Sequence, residues 1–182
     1  MDVIGDIEMS IVHITTQVNG GAGAFAVSVH TAMQKLGLSS LLLTRERCDI
    51  ENTVTIKPLN SLLTSFHHRR LSFLEKLGLI NNKYAAFSIE KYPVRFEDIQ
   101  SKIDQVKPEA LVFYWISYFV SFKCMDKLRQ LYPDIPFVLI CLDEAFLTGG
   151  CHYTWGCNGY MSACTNCPST WLSHRKKRIV EE

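Results

Sequence analysis

Short apolar runs alternate along this chain with stretches whose apolar residues recur at helical spacing. The runs predict strands at 9–14, 40–44, 53–57, 110–116 and 137–142, and the periodic stretches predict helices at 24–36, 59–77, 96–106 and 119–131. Strands that alternate with helices form parallel sheets, because each crossover carries a helix and is right-handed. The pattern therefore predicts an α/β fold with a Rossmann-like, doubly wound parallel sheet.

Length and composition favour one globular domain over residues 1–182. The chain has 182 residues, of which 47% are hydrophobic and 20% charged, and this suits a packed core rather than a disordered chain. The formal net charge of +1 gives no global field that would attract nucleic acid. We therefore expect no nucleic-acid partner.

The sequence lacks the features of a membrane span or a secretory leader. No stretch reaches the ~20 apolar residues needed to cross a bilayer, and the N-terminus carries Asp2, Asp6 and Glu8 instead of basic residues. We expect a cytoplasmic protein. Thiols stay reduced in that compartment, so clustered cysteines favour metal binding over disulfides.

A glycine turn, Asn19-Gly-Gly-Ala-Gly23, follows the first predicted strand. Without side chains, Gly20, Gly21 and Gly23 would let a phosphate or sugar approach the backbone at a helix N-terminus. The spacing is not the dinucleotide fingerprint, and we identify no acidic residue in the ribose-binding position after the second strand. A tight turn explains the same residues equally well.

Two histidines and one aspartate are further candidates for chemistry. His13 and His30 fall inside a predicted strand and helix, and both are expected to be core histidines. Asp143 follows the last predicted strand, at the edge where parallel sheets bind ligands. Its carboxylate is a candidate general base or acceptor-binding group, and the alternative is a cap for the loop.

A cysteine-rich loop at 143–170 replaces the alternating pattern. Cys164-Thr-Asn-Cys167 has the spacing of a metal knuckle, and Cys151 and Cys157 would complete a tetrahedral site of four sulfurs. The expected ion is a structural zinc, because four protein ligands leave no open position. An iron–sulfur cluster would use the same four ligands. His152 is an alternative to one of the cysteines. The remaining interpretation is that these thiols bind no metal.

Four segments carry a family likeness. They are Asn19-Gly-Gly-Ala-Gly-Ala-Phe-Ala-Val-Ser-Val-His30, the run at 107–116, and the pair Thr148-Gly-Gly-Cys-His-Tyr153 and Cys164-Thr-Asn-Cys-Pro168. Together they resemble the N-terminal half of bacterial family 4 glycosyltransferases, which serve polysaccharide and lipopolysaccharide synthesis. The resemblance covers nearly the whole chain, and its last motif is the most specific.

The resemblance implies one domain of a two-domain GT-B architecture. It implies sugar transfer from a nucleotide-sugar to a saccharide or lipid-linked acceptor, at or near the inner membrane face. A separate C-terminal donor-binding domain is expected, since the sequence ends at Glu182. The substrate-binding and catalytic residues implied are Gly20, Gly21 and Gly23 beside the donor diphosphate, and Asp143, Thr148, Gly149 and Gly150 on the acceptor side.

Three positions depart from that family's usual pattern. Leu142 and Tyr114 stand where histidines are usual, and Ala24 stands where an arginine is common. Leucine cannot accept a proton or orient a hydroxyl. These residues favour an alternative function, a non-catalytic, zinc-stabilised binding or interaction module derived from such an enzyme.

Overall fold

The computed structural model describes residues 10–57, 73, 77, 94–148, 151–154 and 156–162. The helix predicted at 59–77 lies outside the described residues except at Phe73 and Leu77. Gly149, Gly150, Cys164 and Cys167 also lie outside them.

Five parallel strands form a single sheet. They are β1 (Ser10–Thr15), β2 (Ser39–Thr44), β3 (Thr53–Thr55), β4 (Ala110–Phe113) and β5 (Phe137–Leu139). Their order across the sheet is β3-β2-β1-β4-β5, and every adjacent pair is parallel. The predicted α/β fold with a doubly wound parallel sheet is confirmed, although β4 and β5 end three residues earlier than predicted.

Helices connect and cover the strands. They are α1 (Gly20–Lys35), α2 (Phe96–Val106), α3 (Phe122–Leu131) and the short α4 (Ala145–Thr148), with a 3₁₀ turn at Gly159–Met161. Among the described residues, no helix combines the length and apolar character needed to cross a membrane.

Side chains of β1 alternate between the two faces of the sheet, and both faces are buried. Val12 and Ile14 pack in the larger core with residues of α2 and α3. Ile11 packs on the opposite face with Ala26 of α1 and with Tyr114. Helices therefore cover both faces, as a doubly wound sheet requires.

The buried face of α1 differs from the one that hydrophobic spacing suggests. Helical spacing places Phe25, Val29, Met33 and Leu36 on one stripe, yet Phe25 is 45% exposed and Leu36 is 76% exposed. The buried residues are Gly23, Ala26 and His30. Small side chains let α1 approach β1 closely, and hydrogen bonds satisfy the buried imidazole.

Gly37 ends α1. Its φ of +76° is left-handed, the amide of Gly37 donates to Gln34 O at 3.0 Å, and that of Leu38 donates to Met33 O at 3.0 Å. These two bonds form a Schellman motif, in which glycine is favoured because it has no Cβ.

The strand order reverses between β1 and β4, which creates a crevice at the carboxyl edge of the sheet. The loops after these strands are tied together there. The amide of Thr16 donates to Trp115 O at 2.8 Å, and the Thr16 hydroxyl donates to Ser117 O at 2.8 Å. The loop after β4 therefore has a fixed position beside the crevice.

Candidate functional site

Three side chains from separate positions along the chain meet beyond the carboxyl ends of β4 and β5. The Nδ1 atom of His152 lies 2.5 Å from Oδ2 of Asp143, and its Nε2 lies 3.0 Å from Oγ of Ser117. Ser117 follows β4, Asp143 follows β5, and His152 follows α4. Loop packing thus joins a carboxylate, an imidazole and a hydroxyl in one row.

The chemistry of these groups sets the direction of each hydrogen bond. An ionised carboxylate only accepts, so the proton lies on Nδ1 of His152 and is donated to Asp143. In the neutral ring, Nε2 is then an acceptor, and the Ser117 hydroxyl donates to it. Trp115 Nε1 also lies 3.3 Å from Nδ1 of His152. Because an indole N–H can only donate, Trp115 cannot accept the Nδ1 proton. That proton is therefore donated to Asp143, which is also the closer partner.

Asp143 orients two parts of the loop. Its Oδ1 accepts the amide of Ala145 at 2.9 Å at the start of α4, while Oδ2 holds His152. The neighbouring Glu144 reinforces this arrangement, since its amide donates to His152 O at 2.9 Å and its Oε2 accepts the amide of Thr154 at 2.5 Å. The carboxylate therefore caps α4 and orients an imidazole, while its predicted role as a general base or acceptor-binding group stays a prediction.

Thr148 also serves the loop. Its hydroxyl donates to Cys151 O at 2.8 Å, and the residue is buried. The hydroxyl therefore closes the turn after α4. The substrate-binding role predicted for Thr148 stays a prediction, as do those of Gly149 and Gly150 outside the described residues.

A small pocket opens beside the three polar groups. Its empty space, counted to the open mouth, is about 180 Å³. It is lined by Tyr114, Trp115, Ile116, Ser117, Phe122, Asp143, Ala145, Phe146 and His152. Apolar and aromatic walls with a few convergent polar groups also line small-molecule sites, but this opening is smaller than the roughly 300–1,000 Å³ that is typical of them.

The glycine turn lies largely inside α1, which begins at Gly20 rather than at the predicted residue 24. Gly20 has a φ of +76°, and a Cβ on Gly23 would lie 2.5 Å from Gln17 O. Both glycines are thus required by the backbone. Gly21 is exposed, and a Cβ there would meet nothing within 4 Å, so this residue leaves room for a ligand.

Glu46 is an acidic residue that the sequence interpretation missed. It lies two residues beyond β2, and its Oε2 accepts the amide of Val18 at 3.2 Å in the loop before α1. The expectation that no acidic residue occupies the ribose-binding position after the second strand stays a prediction. The carboxylate of Glu46 anchors the glycine turn.

The cysteine cluster is only partly described. Cys151 and Cys157 are both half-buried, and Sγ of Cys157 accepts the amide of Gly159 at 3.4 Å. Within the described ranges no group of three or more His, Cys, Asp or Glu side chains could hold a metal ion. Because Cys164 and Cys167 lie outside those ranges, the four-sulfur site stays a prediction.

His152, the alternative metal ligand, is held by hydrogen bonds to its neighbours. Both of its ring nitrogens have hydrogen-bond partners, Asp143 and Ser117. The alternative in which this histidine substitutes for a cysteine stays a prediction, because Cys164 and Cys167 lie outside the described residues.

The two core histidines are confirmed. His13 Nδ1 lies 2.9 Å from the Tyr114 hydroxyl, and His30 contacts Ser40 Oγ at 2.6 Å and Glu51 O at 2.9 Å. Burial, and secondarily the neighbouring His30, lowers the pKa of His13 to about 4. Burial also lowers the pKa of His30 and raises the pKa of Tyr114 to about 12. These rings are therefore neutral near pH 7.

Sequence interpretation found Asp143 but missed its two partners. Ser117 lies in an apolar run four residues beyond the end of β4, where a polar residue marks the carboxyl edge of a parallel sheet. His152 was assigned to the metal cluster because it adjoins Cys151. The chain matches no known protein family model, no curated protein and no solved structure.

Proposed function

We propose that this chain is the acceptor-side domain of a bacterial glycosyltransferase. It would transfer a sugar from a nucleotide-sugar donor to a saccharide or lipid-linked acceptor, and a separate C-terminal domain would bind the donor. The observation that best supports the proposal is the carboxylate-oriented imidazole of His152 beside an aromatic-walled pocket.

Sugar transfer requires a base, because the acceptor hydroxyl must lose its proton as it attacks the sugar carbon. The Nε2 atom of neutral His152 has the lone pair that can take this proton. Asp143 holds the opposite nitrogen and would stabilise the imidazolium that forms. The Ser117 hydroxyl at 3.0 Å occupies the position that an acceptor hydroxyl would take. His152, rather than Asp143, is therefore the proposed base.

The pocket and the glycine turn supply the binding surfaces in this proposal. Trp115 and Phe122 offer aromatic walls to a saccharide. The exposed Gly21, in the first turn of α1, leaves backbone amides open to the negative charge of a diphosphate.

Reconstitution tests the proposal. The chain is incubated with labelled nucleotide-sugars and lipid-linked acceptors, with and without a co-expressed donor-binding domain. We expect transfer only with both parts, and a loss of about 10²-fold or more for His152→Gln. Ser28→Ala on the exposed face of α1 is the matched control and should retain full activity. Transfer by the chain alone, or by the His152→Gln enzyme at full rate, would refute this assignment.

The second candidate is a zinc-stabilised binding module without catalysis. The amide of Gly159 that points at Cys157 Sγ favours it, because a hydrogen bond to sulfur stabilises the thiolate that binds metal. Saccharide binding measured by calorimetry, with no sugar transfer after reconstitution, distinguishes this candidate.

A second experiment uses the Leu142→His variant in the reconstituted enzyme. If loss of a histidine at this position silenced an ancestral enzyme, the variant should show sugar transfer. Contact with the inner membrane face stays a prediction.

A further inference from the structure

We propose that Ser117 is a nucleophile activated by His152 and Asp143, and that the adjoining pocket accepts short acyl esters. This acyl-transfer activity does not depend on the sugar transfer proposed above. It rests on the geometry of three side chains and the pocket that they share.

The hydrogen bonds run in the order that serine nucleophiles require. Ser117 Oγ lies 3.0 Å from Nε2 of His152, and Nδ1 of the same ring lies 2.5 Å from Oδ2 of Asp143. Nucleophile, base and orienting carboxylate are recognised by these contacts and roles, and not by sequence position. The geometry thus allows His152 to remove the hydroxyl proton of Ser117.

The backbone holds Ser117 rigidly in the connection from β4 to α3. Its carbonyl accepts the hydroxyl of the fully buried Thr16 at 2.8 Å. The next residue, Tyr118, has a φ of +65°, a left-handed conformation that costs energy for a residue with a side chain. Such strain and fixed placement are frequent where a reactive group must be positioned in advance.

The pocket limits which substrate can reach the serine. Ser117, His152 and Asp143 line the same opening, while Ser117 itself is only 2% exposed. A bulky acyl group cannot approach Oγ through so small an opening. The substrates that we propose are therefore esters of the shortest acyl groups, such as acetyl.

Each step conserves protons and electrons. Ser117 Oγ attacks the ester carbonyl carbon as its proton moves to His152 Nε2, and the new C–O bond gives a tetrahedral intermediate that collapses to an acyl-serine. The ester's C–O bond breaks, and the alcohol leaves with the proton from His152. Water then attacks the acyl-serine and loses a proton through His152, which releases a carboxylic acid and regenerates the Ser117 hydroxyl.

A small fluorophosphonate, which phosphonylates activated serines, tests the proposal on the full chain. We expect one adduct at Ser117 by peptide mass mapping, formed at least about tenfold faster than any adduct at the exposed Ser101. Ser117→Ala should abolish it, and His152→Gln and Asp143→Asn should each slow it about 10²-fold. Ser101→Ala is the matched control, and the wild-type chain in urea should lose the selectivity. Acetylated Ser117 should also accumulate with p-nitrophenyl acetate.

Two results would overturn the proposal. One is labelling of Ser117 in the folded chain no faster than that of Ser101. The other is labelling unaffected by His152→Gln in a variant whose circular dichroism matches wild type. Ser117→Cys is a second nucleophile variant, and alkylation of the introduced thiol by iodoacetamide should depend on His152 in the same way. Failure of these labelling assays would not contradict sugar transfer by the reconstituted enzyme. Failure of the reconstitution would not contradict the labelling of Ser117.

Discussion

The Nδ1 atom of His13 lies 2.9 Å from the phenolic oxygen of Tyr114, between the sheet and α1. The His30 ring packs edge-on against the His13 ring at a centroid distance of 5.9 Å. Protonation of either ring would place a charge in this buried layer. Two neutral histidines are thus part of the core that supports the crevice.

The first prediction concerns stability at mildly acidic pH. The pKa of His13 falls from 6.5 unfolded to about 4 folded, so below pH 6.5 the unfolded chain binds the proton first. Stability is therefore complete above pH 6.5 and declines as the pH falls towards 4, by about 3 kcal/mol for this residue. The lowered pKa of His30 adds to the same trend.

Urea unfolding between pH 7.5 and about pH 4.5 measures this dependence. His13→Asn removes one of the two groups and should flatten the curve, even if it lowers stability at pH 7.5. A wild-type unfolding free energy that stays constant down to the acid limit would contradict the prediction.

The second prediction compares two glycines in the first turn of α1. Gly23→Ala should destabilise the chain by about 1–3 kcal/mol, because the new Cβ would lie 2.5 Å from Gln17 O and 2.7 Å from the Val18 carbonyl carbon. Gly21→Ala has open space around it and should be neutral or stabilise by up to about 1 kcal/mol. Thermal denaturation of both variants measures the two effects on stability, and equal changes in melting temperature would refute the prediction.

The third prediction assigns opposite tautomers to two histidines. His152 should carry its proton on Nδ1, which faces Asp143. His30 should carry it on Nε2, which faces the carbonyl oxygen of Glu51. Long-range ¹H–¹⁵N spectra near neutral pH distinguish these forms. Asp143→Asn should weaken the preference at His152 and leave His30 unchanged, whereas an Nε2 proton on His152 would contradict the proposed array.

The fourth prediction concerns the proposed structural zinc. Protein purified without chelator should contain about one zinc per chain, and Cys151→Ser or Cys157→Ser should lower this content and the melting temperature. Cys141→Ser, at an exposed position, is the matched control. Metal-free protein whose folding is indifferent to chelators would exclude the site.

The fold class follows from the sequence because local patterns encode it. Continuous apolar runs separated by helical stretches specify a parallel sheet covered on both faces, since both sides of each strand must be buried. Gly37 ends α1 for an equally local reason, its left-handed backbone. His13 and His30 were also predictable as core residues from their places inside regular elements.

Only the tertiary structure decided the buried face of α1 and the partners of Asp143. Phe25 is spaced for burial, but the close approach of α1 to the sheet and to the loop after β1 selects Gly23 and Ala26 instead. Ser117 and His152 are 35 positions apart, and their contact depends on the order of β4 and β5 and on the path of the loop after α4. Hydrophobic periodicity acts over a few residues and holds no information about such distances, so packing alone brings these side chains together.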